Sequence, residues 1–289
     1  MSSTLSLQST VERIRSLSTL PQVAIRILQR TSDPNSSAKD LEDIIRADPP
    51  LAAVLLRMVN SAHFGLRERV LDIRKAIIFL GFRTVRDLAL SASVCDIFKS
   101  RDQIGTYSRV GLWKHCVGVG VCSKAIAQKL NLDFADNLFS LGILMDLGII
   151  MLDQYLHEEF KNILLHPDFK SLGMSAIQKE VLGFTHMELS EHVGQAWKLP
   201  TEALVAMAYQ QKPKNSPVEF HSMMSVIFLA NTLINAQEFG FVTTSVVEPT
   251  AFNFSLAQLG LKKLDVRVIL EDLPRELERA TEIIQLAEC

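Results

Sequence analysis

The chain has 289 residues, 48% of them hydrophobic, with 30 Lys and Arg against 32 Asp and Glu and a net charge of −2. That is ample for a large core, and the balanced charge gives no overall pull toward nucleic acid or an anionic membrane. The four cysteines, Cys95, Cys116, Cys122 and Cys289, form no CxxC pair and no finger-like spacing with histidine, which reads as inert free thiols in a reducing compartment. The first ten residues lack the basic and apolar regions of a signal peptide. No run reaches the roughly 18 apolar residues of a membrane span, so a cytoplasmic protein is expected.

Glycine and proline are sparse, period-two alternation is nearly absent, and helical periodicity recurs throughout. The expectation is an all-α protein of about a dozen helices. A first helix is expected over 10–18, and Pro21 opens the next over 22–30. Ser37 or its neighbour caps a short helix carrying Leu41, Ile44 and Ile45. Asp48-Pro49 is a cap followed by a residue already fixed near helical φ. Asp72 caps Ile73–Leu80, and Gly81 stops it. A helix follows over 83–99. The polar stretch 100–108 is the best boundary, dividing an N-terminal subdomain, 1–105, from a second one, 106–289.

A long helix over 111–130 carries His115 on its apolar face. Asp133 is read as the cap of a continuous central helix through residue 153. On it Asp146 shares a face with Phe139, Gly142, Ile143, Ile149 and Ile150. An unpaired buried carboxylate is very costly, so Asp146 needs a cation, a metal or several hydrogen-bond donors. Two shorter amphipathic helices follow. Thr185 and Glu188 then form a capping box that places His186 in a first turn. Further helices run from Pro200 to Gln211 and over 218–239, and two or three amphipathic helices follow residue 255.

Several segments in order resemble the HD-related output domain (HDOD) family of bacterial signalling proteins. They are Leu20-Pro21-Gln22-Val23-Ala24, Asp48-Pro49-Pro50-Leu51, the run from Leu56 to Gly65 that contains Asn60-Ser61-Ala62-His63-Phe64-Gly65, and the run from Ile73 to Phe82. Trp113-Lys114-His115, the central helix and Leu182-Gly183-Phe184-Thr185-His186 continue the match, over residues 15 to 235. The resemblance implies an all-α fold distantly related to the HD phosphohydrolases, whose histidines and carboxylates hold a divalent metal that activates water. Their first His matches His115. Their His-Asp doublet falls on Met145-Asp146 and their later Asp on Asn231. An extra His of two-metal enzymes corresponds to His186, and a doubled His reads Gln210-Gln211. A thioether is a poor ligand for hard cations and Asn brings no charge, so a pseudoenzyme with no cofactor is expected.

Two readings of His115 and Asp146 stay open: a residual metal site with His186, or a buried His–Asp pair that fixes two helices. The pair is preferred, with His186 as a capped first-turn residue and His63 as an aromatic in a turn. Arg67, Arg69, Arg74, Lys75, Arg83 and Arg86 form a local positive cluster. It is either a solvated face or a surface for a phosphate-bearing ligand or acidic partner. With Asn60 and His63, the arginines are the binding candidates. The leading expectation is a non-catalytic signal-transduction module that binds a signalling protein. The alternatives are a degenerate metal-dependent phosphohydrolase and a module sensing a nucleotide second messenger such as a cyclic dinucleotide. Neither a nucleic acid nor a membrane is expected as partner.

Overall fold

The structure is a computed structural model that describes residues 6–15, 20–33, 35–66, 68–100, 102–244 and 246–287. Arg67, Cys289 and the end of the helix expected over 10–18 lie outside the described residues. The N-terminal helices are α1 (Leu7–Arg15), α2 (Gln22–Thr31), α3 (Ala38–Arg46), α4 (Pro49–Val59), α5 (Ile73–Leu80) and α6 (Phe82–Val94). Their starts follow side-chain chemistry. Ser37 and Asp40 make a reciprocal capping box on α3, Asp48 accepts from Leu51 N–H, and Asp72 accepts from Lys75 N–H. Gly81, at φ +83°, ends α5 and turns directly into α6.

The stretch 100–108 is ordered. Gln103–Ile104 (β1) and Tyr107–Ser108 (β2) pair antiparallel around Gly105, at φ +58°, and Ser108 caps the next helix. Strands this short carry no readable alternation. The hairpin is pinned by Asp153, whose carboxylate accepts from Tyr107 Oη at 3.0 Å and Arg109 Nε at 2.6 Å.

The centre of the molecule is α7 (Arg109–Lys129), followed by α8 (Leu138–Leu144) and α9 (Leu147–Tyr155). Gly120 on α7 faces Gly142 on α8. A Cβ on Gly142 would lie 2.4 Å from the Gly120 Cα, so the two backbones touch where neither residue has a side chain. The central helix is therefore not continuous as expected. It breaks at Met145–Asp146, where Asp146 has φ −104° and ψ 17°. Asp133 is not its cap either, since a 3₁₀ turn, Ala135–Asn137, intervenes. The stretch Ala135–Tyr155 is long and apolar enough by length and composition to cross a membrane, which corrects the reading that no such run exists. Most of it is buried inside the protein.

The remaining helices wrap this centre: α10 (His157–Leu164), α11 (Phe169–Leu172), α12 (Met174–Leu182), α13 (His186–Ala196), α14 (Thr201–Tyr209), α15 (His221–Ala236), α16 (Pro249–Leu259), α17 (Lys263–Glu278) and α18 (Thr281–Gln285). The expected dozen is exceeded because kinks split long runs and short helices such as α11 and α18 lack a full amphipathic period. Trp113 ties α18 to α7 by donating from Nε1 to Ile283 O at 3.0 Å.

Candidate functional site

Asp146 sits in the break between α8 and α9, with 1% of its surface exposed. Gly148 lets α13 approach closely. A Cβ there would lie 2.1 Å from His186 O, and Gly148 N–H donates to Ser190 Oγ at 2.8 Å. This docking brings the first turn of α13, opened by the Thr185–Glu188 capping box, against the break. Two fully buried imidazoles then flank one carboxylate. His115 Nε2 is 3.5 Å from Asp146 Oδ2, and His186 Nε2 is 3.5 Å from Asp146 Oδ1. His186 is thus part of the cluster as well as a capped first-turn residue.

Gln178 on α12 orients His186. Its Oε1 accepts from His186 N–H at 2.9 Å and lies 2.7 Å from His186 Nδ1. The backbone N–H is an obligatory donor, so this atom is the amide oxygen and Nδ1 must carry the proton. Nε2 is left facing the carboxylate. Burial alone would raise the Asp146 carboxyl. Contact with His186, electrostatic attraction to the facing His115 and the Gln210 hydrogen bond outweigh it, and the group stays below the ordinary carboxylate range. Burial pushes His115 down despite Asp146 opposite it.

A chain of amides completes the shell. Gln210 donates from Nε2 to Asp146 Oδ1 and to Met145 O, both at 3.0 Å. Asn231 donates to Gln210 Oε1 at 3.3 Å, and Asn235 donates to Asn231 Oδ1 at 2.7 Å and Asn231 O at 2.9 Å. Asn235 Oδ1 accepts from Thr243 N–H at 2.9 Å. Backbone groups at both ends have fixed roles, so every amide in the chain has a determined direction. Asn235 and Gln178 were not read from the sequence as site residues. Their signals were there: Asn235 follows Asn231 at i+4, and Gln178 lies on the buried stripe of Met174, Ile177 and Leu182.

The profile of the HDOD domain family matches residues 17–213. The chain belongs to the HDOD domain family. Its fold superposes on an HDOD domain protein from Geobacter sulfurreducens with a TM-score of 0.79 at 20% identity, covering 96% of this chain and 97% of that one. A candidate signal transduction protein from Marinobacter aquaeolei gives a TM-score of 0.80 at 21% identity, covering 98% of this chain and 65% of that one. A candidate phosphohydrolase from Shewanella amazonensis gives 0.72 at 19% identity, covering 97% of each. An uncharacterized Treponema pallidum protein is 24% identical over 228 residues, 78% of this chain. The chain spans 44% of the length of that relative.

The residues of this HDOD chain do not fit the divalent metal of HD phosphohydrolases. A hard cation needs several converging acceptors. Gln210 instead donates one amide N–H to Asp146 Oδ1 and the Asn231 oxygen is turned to Asn235, which leaves Asp146 Oδ2 and the two imidazole Nε2 atoms as the unpaired groups of the centre. Among the described residues, no group of three or more His, Cys, Asp or Glu is arranged so that it could hold a metal ion.

The binding candidates separate. Asn60 is a clamp, donating from Nδ2 to Leu56 O and Val70 O and accepting from Val70 N–H, all at 2.7 Å. Its polar groups are spent on the loop that follows α4. Arg86 is not on a basic surface: it is 5% exposed and bonded to Asp87, Asn137 and the Asp136 carbonyl. Lys124 Nζ joins Asp87 at 3.1 Å. Arg83 pairs with Asp136, and Arg74 meets Glu42 at 3.3 Å. Three of the expected six, Arg74, Arg83 and Arg86, are therefore paired, because acids from α3, α6 and the turn before α8 reach them. His63 and Arg69 remain exposed, with the His63 ring edge-on to Phe64. The buried thiols of Cys95 and Cys122 are pushed up by burial to about 11 and about 12, and that of Cys116 is raised as well.

Proposed function

We propose that this HDOD protein is a non-catalytic signal-transduction module that works in the cytoplasm by binding a signalling protein. The observation that carries the reading is the Gln210–Asp146 hydrogen bond. Asp146 Oδ1, in the acid at the heart of the HD-like centre, is taken by an amide N–H and is not free for a catalytic cation, while Oδ2 faces His115 without a hydrogen bond. Met145 and Asn231, in place of two ligands, support the same conclusion. The test is the metal content of protein purified without added metal or chelator, paired with a phosphodiesterase assay. Near-zero metal and no hydrolysis are expected. About one tightly held metal per chain with measurable hydrolysis would restore the degenerate phosphohydrolase.

A second reading, a nucleotide-sensing module, is favoured by one feature. A cleft of about 740 Å³ opens beside Gln210 and Asn231, with Lys212 and Lys214 among its lining residues. Calorimetry with cyclic dinucleotides decides it: saturable heat abolished by Lys212→Glu with Lys214→Glu supports sensing, and no heat removes it.

A further inference from the structure

The outer face of α5 carries an apolar ridge. Leu71 and Ile78 are each 72% exposed and Phe79 is 57% exposed, in a molecule whose apolar side chains are otherwise mostly buried. Lys75, Ile78 and Phe79 follow one another at i, i+3 and i+4, so they share one helix face. That face has no structural duty, because α5 packs inward through Ile73, Ala76 and Ile77.

A groove opens where the chain enters α5. Leu71 also lines a cavity of about 700 Å³ whose walls include Ala53, Leu56 and Leu66, with Arg57 and Arg69 at its edge. Arg57, Arg69 and Lys75 have no ion-pair partner among the described residues, in contrast to Arg74, Arg83 and Arg86. Arg57 and Arg69 line the groove with Glu68, and Leu71 leads from it through the Asp72 cap into the helix that carries Lys75, Ile78 and Phe79.

We propose that this surface docks an acidic amphipathic helix of a partner protein, with its apolar stripe against Leu71, Ile78 and Phe79 and its carboxylates against Arg57, Arg69 and Lys75. The proposal rests on the partner-binding reading and names the chemistry of the partner. Charge complementarity selects the occupant. A second copy would bring the same three cations onto themselves. A concave groove beside a ridge suits a rod better than the flat surface of a bilayer.

The experiment uses the full chain and two synthetic amphipathic peptides of about five helical turns, followed by fluorescence anisotropy. One has a leucine stripe with glutamates elsewhere, the other the same stripe with lysines. The glutamate peptide is expected to bind at least about tenfold more tightly than the lysine peptide. Its binding is expected to weaken by about tenfold or more in Ile78→Ser with Phe79→Ser, and again in Lys75→Glu with Arg69→Glu. All four positions are exposed, so the variants keep the fold, which circular dichroism checks. Equal affinity for the two peptides, or variants that bind like the parent, would overturn the proposal. So would a dimer in sedimentation that Ile78→Ser dissolves, or binding to anionic vesicles without binding to the peptide. Hydrolysis or bound metal, measured separately, would sink the partner-binding reading itself and is not touched by this assay.

Discussion

Gln210 Nε2 lies 3.0 Å from Asp146 Oδ1 and also donates to the Met145 carbonyl, so one amide spends both of its protons on the break between α8 and α9. It holds the bend and donates to the acid inside it. Gln210→Ala removes the only side-chain hydrogen-bond donor found on Asp146 among the described residues. It is expected to cost about 2–3 kcal/mol, the usual penalty for leaving a buried charged group unsatisfied, read as a lower urea midpoint with an unchanged slope. An unchanged midpoint would show that the imidazoles alone suffice.

Acid is expected to destabilise the protein in two stages. His115 titrates below its ordinary 6.5 in the folded state. The unfolded chain therefore binds the proton first, and stability falls as pH drops through 6.5 toward the folded value. Asp146 titrates below its ordinary 3.8. Its contribution is full above 3.8 and is lost as pH falls further, through the folded value. Thermal melts between pH 8 and pH 3 check this, and His115→Gln is expected to flatten the upper stage and to weaken the lower one, since His115 also helps to hold Asp146 down.

Arg86 and Asp87 are both nearly buried and meet at 2.8 Å, with Lys124 and Ser140 completing the Asp87 shell. Asp87→Ala leaves Arg86 inside without its counter-ion and is expected to cost about 3–5 kcal/mol. Arg74→Ala breaks a pair whose arginine is largely exposed and is expected to cost under about 1 kcal/mol. Equal losses from the two substitutions would contradict the burial assigned to Arg86.

Gly142→Ala drives a methyl group into the Gly120 backbone, which no rotamer change relieves. A loss of about 3 kcal/mol or more is expected, at the upper end for overpacking. Soluble yield and melting temperature report it.

Much of this was legible in the residues. Asp48, Asp72 and Thr185 announced their helices, because a capping side chain bonds to a backbone amide two or three residues away and needs no tertiary partner. The inward placement of His115 and Asp146 followed from helical spacing. The break at Asp146 did not, because Leu144, Met145 and Leu147 are as apolar as a continuous helix requires and the hydrogen bonds at the bend come from Gln210, the cap at the end of α14. The burial of Arg86 was hidden for the same reason: Asp136, Asn137 and Lys124 come from elsewhere in the chain. The exposure of Ile78 and Phe79 was hidden too, since periodicity marks apolar residues without saying which find a partner.

The fixed direction of the amide chain from Thr243 to Asp146 has an evolutionary consequence. Replacing Gln210 with a histidine would strand Asn231, and restoring an aspartate at 231 would set an acid against the Gln210 oxygen. Either substitution alone passes through a less stable protein. The amide chain therefore resists piecemeal change at its core, and sequences derived from this one are freer to vary at their surfaces than along the line from Thr243 to Asp146.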